Sequence, residues 1–240
     1  MLYRFIKICF LLVLFSVVFV SCGKKWKETT KVGVSFVMTQ NSTGMLTLTS
    51  GTMNIGEIDF SGNRKKGGDV SFLDVEPAPL LLNLRNGVAQ SIDHYDIPQG
   101  EYTSINIVVK TVPQNTSPAI SLSGIFTYTL TVADDDSDSV VESKNIPVLF
   151  ELNAGQSFSM NATATNGGSE IVLISGTPAT CEITLNPYYW LATITEKQFK
   201  NTDKYEVNGT ETIVINETEN EDLYALIVAR INQNATAVFK

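Results

Sequence analysis

Histidine and cysteine are nearly missing from this chain. His94 is its single histidine, and two of its three cysteines, Cys9 and Cys22, lie close to the N-terminus. Tetrahedral zinc sites draw on several His and Cys ligands, so the usual clusters are excluded. With the N-terminal segment set aside, Cys181 has no partner for an intramolecular disulfide, and its surroundings predict a buried small hydrophobe. A Ser-His-Asp triad would have to be built on His94, and no G-x-S-x-G elbow is present, so His94 reads as a loop or strand-end residue. Charge is also sparse, at 18% of residues with a net charge of −8, which disfavours nucleic acid and anionic lipid as partners. The longest apolar run, Ile8 to Val20, is shorter than the roughly 20 residues that a membrane-spanning helix needs.

That run has the layout of a targeting signal. Arg4 and Lys7 precede it, and Ser21-Cys22 end it. Phe19-Val20-Ser21-Cys22 resembles the lipobox of bacterial lipoproteins, with Phe19 where the family usually has Leu. The resemblance implies cleavage after residue 21 and lipidation of Cys22, and several acyl chains on one residue hold a protein firmly to a bilayer. Loss of Arg4 and Lys7 takes the net charge from −8 to −10. Gly23-Lys24-Lys25-Trp26-Lys27 then reads as a solvated basic-aromatic tether near the headgroups. Gly23, in place of the Asp that retains enteric lipoproteins at the inner membrane, favours the outer membrane.

The rest is rich in strand patterns. After Pro98-Gln99-Gly100, which reads as a type II turn, Thr103, Ile105, Ile107 and Val109 alternate with Tyr102, Ser104, Asn106 and Val108. Val32 to Met38, Met45 to Thr49, Thr52 to Phe60, Val70 to Val75, Leu80 to Leu84, Ile120 to Ala133 and Val140 to Leu152 add further strands. Glu76-Pro77-Ala78-Pro79 separates two of them, since Pro has no place in a central strand. Gln90 to Ile97, Gln156 to Thr165, Glu170 to Leu185 and Thr210 to Ile215 complete the set. From Asn220, Leu223, Leu226, Ile227 and Ile231 recur at helical spacing, and Asn220 is placed as N-cap. The expected fold is therefore mainly β: an antiparallel β-sandwich over 32–186, preceded by a signal peptide (1–21) and a lipidated tether (22–31). A C-terminal extension (187–240) carries one amphipathic helix over 220–233 and packs on the sandwich.

Leu80 to Gly87 followed by Ile97-Pro98-Gln99-Gly100-Glu101-Tyr102 resembles a domain-of-unknown-function family of Gram-negative lipoproteins. Its mark is an apolar run with a polar turn, then Pro-x-Gly-x-Tyr and an alternating strand. Pro79 stands where the family has Asp. The resemblance spans about residues 30 to 185 and implies a sandwich of transthyretin-like layout with no established catalytic residues.

Two clusters are candidates for ligand chemistry. Asp134, Asp136 and Asp138 have the spacing of the first three ligands of a calcium loop, but Ser139 replaces the expected Gly and Asn145 the final Glu. The bland alternative is an acidic hairpin tip. Tyr188, Tyr189 and Trp190 form either a glycan-stacking platform or an anchor into the core. Calcium is thus the one cofactor the sequence raises. The sequence predicts a non-enzymatic, membrane-anchored envelope module with a protein or glycan partner. The first alternative is a fimbrial or surface-assembly subunit cut at Lys27 or Lys31, and the second is a hydrolase using paired carboxylates.

Overall fold

The computed structural model of the chain describes residues 25–39, 44–133 and 139–240. The expected signal peptide, Cys22, and the Asp134, Asp136 and Asp138 cluster lie outside the described residues. Strand makes up 61% of the chain and helix 10%, so the protein is mainly β, with two mixed sheets, one curled into a half-barrel. A five-stranded sheet has the order β4 (Gln90–Pro98), β1 (Thr29–Met38), β11 (Ala179–Leu185), β14 (Thr236–Phe239), β9 (Thr163–Ala164). The larger sheet is built on β2 (Leu46–Arg64). One edge of β2 pairs with β3 (Val70–Arg85). Its other edge is shared by β5 (Gly100–Thr111) and β6 (Ile120–Ala133). Beyond β6 follow β7 (Ser139–Leu152), β13 (Thr210–Ile215) and β12 (Tyr205–Val207), while β8 (Ser157–Asn161) and β10 (Ile171–Leu173) pair with β5. One apolar core holds side chains from both sheets, among them Phe36, Phe60, Ile107, Phe150 and Ile183.

Three sequence expectations are corrected here. The arrangement is not purely antiparallel, because β1–β11, β13–β7 and β14–β9 pair in parallel. Residues 187–240 do not sit on a finished sandwich but complete both sheets: β13 pairs with β7, and β14 lies between β11 and β9. Leu80 to Leu84 and Val70 to Val75 are one strand, not two. Among the described strands β3 forms its ladder with β2 alone, and an irregularity between Ile55 and Glu57 falls opposite Glu76 to Pro79. An edge strand tolerates Pro because its outward amide has no ladder partner to lose.

The helices are short. α1 (Pro187–Leu191) and α2 (Glu196–Asn201) precede α3 (Glu221–Val228), which covers only the first part of the expected 220–233. Asn220 does not cap α3 with its side chain. It takes a left-handed backbone (φ 55°), and its amide nitrogen donates to the carbonyls of Asp203 and Val214.

Asn54 marks the fork where β2 changes partner. Its N–H donates to the Ala119 carbonyl, ahead of β6, and its carbonyl accepts from Val112, just after β5. The buried side chain donates from Nδ2 to the Pro118 carbonyl at 2.8 Å, fixing the 112–119 excursion between the two strands. Asn54→Ala strands that carbonyl in the interior and should cost about 2 kcal/mol in urea unfolding. An unchanged midpoint would show that the fork does not depend on this bond.

Candidate functional site at the N-terminal corner

The Pro-x-Gly-x-Tyr stretch is a corner between sheets. β4 ends at Pro98 in the smaller sheet, and β5 begins at Gly100 in the larger one. Gly100 has φ 157°, a conformation that L side chains rarely adopt, yet far from the roughly +80° that a type II turn requires. Tyr102 is fully buried, and its hydroxyl donates back to the Pro98 carbonyl at 2.6 Å, the bond of a tyrosine corner. Burial pushes its hydroxyl pKa up to about 12, partly opposed by the Arg64 charge. Gly62 makes room for the ring, since a Cβ there would lie 2.6 Å from a ring carbon.

Arg64, at the end of β2, locks this corner to the N-terminal segment. Its Nη1 donates to the carbonyls of Trp26 and Gln99, each at 3.0 Å. Nε donates to Gly68 at 2.7 Å and Nη2 to Gly67 at 2.5 Å. The segment so held is a 3-10 turn, Lys25–Lys27, leading directly into β1. Gln99 N–H also donates to the Glu28 carbonyl at 2.8 Å. The expected loose tether over 22–31 is therefore folded from Lys25 onward, and β1 starts at Thr29 rather than Val32. Trp26, Lys27, Arg64, Asp69, Ser71 and Pro98 line an open cleft of about 660 Å³. Trp26 is half-buried beside it, and a Cβ on Gly67 would stand only 3.1 Å from Trp26 Cβ and Cγ. Lys65 bonds Glu101 and reaches Glu170 at 3.0 Å, and these bonds, Glu101 first, raise its pKa.

The other sequence candidates are scattered. Tyr188 and Trp190 are buried, at 4% and 1% exposure. Tyr188 OH accepts from Leu48 N–H at 2.9 Å, and Trp190 Nε1 donates to the Gln233 carbonyl at 3.3 Å. Tyr189 is half-buried, with the Arg230 guanidinium 4.3 Å from its ring centroid. The three rings thus present no common open face. His94 is exposed on edge strand β4. Cys181 is fully buried, and burial, with a smaller contribution from Glu182, pushes its thiol pKa up to about 12. A second cleft of about 650 Å³ between α2 and the start of α3 is lined by Lys197, Gln198, Asp203, Tyr205, Glu221 and Asp222.

No protein-family model, curated protein or solved structure matches this chain. Function must therefore be argued from the residues alone. The Arg64 corner was missed at the sequence level because its parts, Trp26, Arg64 and Gln99, lie far apart in the chain and share no spacing. One signal was present: the Arg64-Lys65-Lys66-Gly67-Gly68 run resembles in charge the Lys25 to Lys27 turn beside which it folds.

Proposed function

We propose that the chain is a lipid-anchored protein of the cell envelope, on the outer membrane. Its β domain, read as a two-layer sandwich, serves as a non-enzymatic binding or accessory module for an envelope protein or glycan. The observation that supports this best is that three peptide steps of sequence separate the lipobox-like Cys22 from the 3-10 turn that begins at Lys25. A domain hung this closely on its anchor works at the surface of a membrane. Metabolic labelling with an alkyne fatty acid should mark the chain, and Cys22→Ser should abolish the label and release the protein from the membrane fraction. An unlabelled wild-type chain would sink the proposal.

The assembly-subunit alternative asks the N-terminal strand to leave. β1 is paired on both sides, to β4 and to β11. A cut after Lys27 leaves all of β1 in place, and a cut after Lys31 leaves Val32–Met38, the residues that pair with β11. The geometry therefore favours the anchored module.

A further inference from the structure

The two basic stretches that meet at the Arg64 corner are an anomaly in an acidic chain. Lys27 comes from one, and Arg64, Lys65 and Lys66 from the other, within a net charge of −8. Lys65 is outweighed by two carboxylates, Glu101 and Glu170. Lys27 and Lys66 are exposed and make no ion pair among the described residues. Arg64 makes its four side-chain hydrogen bonds to carbonyls, so its charge is not matched by a carboxylate there. Trp26 lines one cleft with Lys27 and Arg64, half-buried, with its backbone carbonyl held by Arg64. A tryptophan beside basic side chains is the residue set that settles at a membrane–water interface.

The chain before this corner decides what it faces. Three peptide steps separate Cys22 from Lys25, and an extended chain covers at most about 3.6 Å per residue, or roughly 11 Å in all. That reach is close to the screening length of about 8 Å at physiological salt. Any lipid on Cys22 therefore holds the corner where anionic headgroups still attract it. Asp69 in the cleft and Glu28 at the turn carry the opposing charges, and Glu28 Oε2 accepts from Gln99 at 3.2 Å.

We propose that the corner formed by Trp26, Lys27, Arg64 and Lys66 docks on the anionic headgroups of the bilayer leaflet that holds the N-terminus. The β domain then stands in one fixed orientation instead of swinging on a tether. This rests on the anchored reading above, and the test separates the two. The lipidated chain is mixed with vesicles of phosphatidylcholine alone or of equal parts phosphatidylcholine and phosphatidylglycerol, each containing brominated lipid. Flotation reads anchoring, and quenching of tryptophan reads docking. The chain has two tryptophans, and Trp190 is buried in the core, so quenching reports on Trp26.

Flotation with both vesicles is expected, with Trp26 quenching in the anionic ones that is mostly lost at about 0.5 M salt. Lys27→Glu combined with Lys66→Glu should remove the quenching while leaving flotation and melting temperature unchanged. Flotation without quenching would overturn the docking and leave the anchor standing. Equal quenching in neutral vesicles would overturn the headgroup assignment. Absence of flotation would overturn the anchored reading and the docking with it.

Discussion

Gly100→Val should lower the melting temperature by about 9 °C. Two obstacles act together: φ 157° is a backbone conformation that L side chains rarely adopt, and a Cβ on residue 100 would lie 2.8 Å from Cδ of Arg64. An exposed arginine would swing aside at little cost. This one is held by four backbone carbonyls, so it moves only by giving up bonds that fix the 25–27 turn and the 67–68 loop. Hydrogen bonds from a charged donor are worth about 1.5–3 kcal/mol each, and losing part of the set costs about 3 kcal/mol. In a domain of this size each kcal/mol shifts the midpoint by about 2–4 °C. The mechanism has its own check. Arg64→Met removes the immobile guanidinium, so Gly100→Val made in that background should cost clearly less than in the wild type. Additive effects would show that the valine is rejected by something other than Arg64. A Gly100→Val protein that melts like wild type would remove the corner from the account.

The same stretch shows what the sequence could and could not disclose. The alternation of Ile105, Ile107 and Val109 is legible, and all three are buried. The alternation also assigns Tyr102 to the opposite face, with Ser104 and Asn106, and there it misleads. β2 and β5 change register between Asn63 and Arg64, so Tyr102 and Ile105 both point inward while Thr103 is exposed. A bulge depends on two strands at once and leaves no trace in either alone. The parallel partners were hidden for the same reason. β1 and β11 meet across about 150 residues with nothing local to announce it, and four-residue β14 is too short to carry a period. The Thr210–Ile215 strand, with its β-branched run, was readable to the residue. α2 was readable in principle, because Thr195-Glu196-Lys197-Gln198 is a capping box that the structure uses in both directions. The acidic pair Glu221 and Asp222 does begin α3, but Asn220 bonds outside the helix. A residue suited to capping serves wherever its partners happen to be.

Trp190→Ala should be among the most damaging single substitutions in the chain, costing about 4 kcal/mol and about 12 °C in melting temperature. The indole is 1% exposed, lies against Phe158 with ring centroids 6.0 Å apart, and ties α1 to the segment after α3 through the Gln233 carbonyl. Truncation empties a large volume, removes that donor and loosens the C-terminal segment that delivers β14 to the smaller sheet. Tyr189 is the informative comparison. It is half-buried, and its contacts are the Arg230 guanidinium over the ring and a hydroxyl bond to Gln233 at 3.3 Å. Tyr189→Ala should therefore cost only about 1 kcal/mol. The two roles proposed for the aromatic run predict opposite patterns. As core, Trp190 and Tyr188 carry stability and Tyr189 little, with any glycan affinity untouched by Tyr189→Ala. As a platform, glycan binding would fall on truncation of any of the three while the melting temperature stayed within a few degrees. Thermal unfolding of the three alanine variants, alongside a glycan array, decides between them. The hydroxyl of Tyr188 seated on the Leu48 backbone already ties this run into β2, and a side chain so placed can offer a sugar neither of its faces.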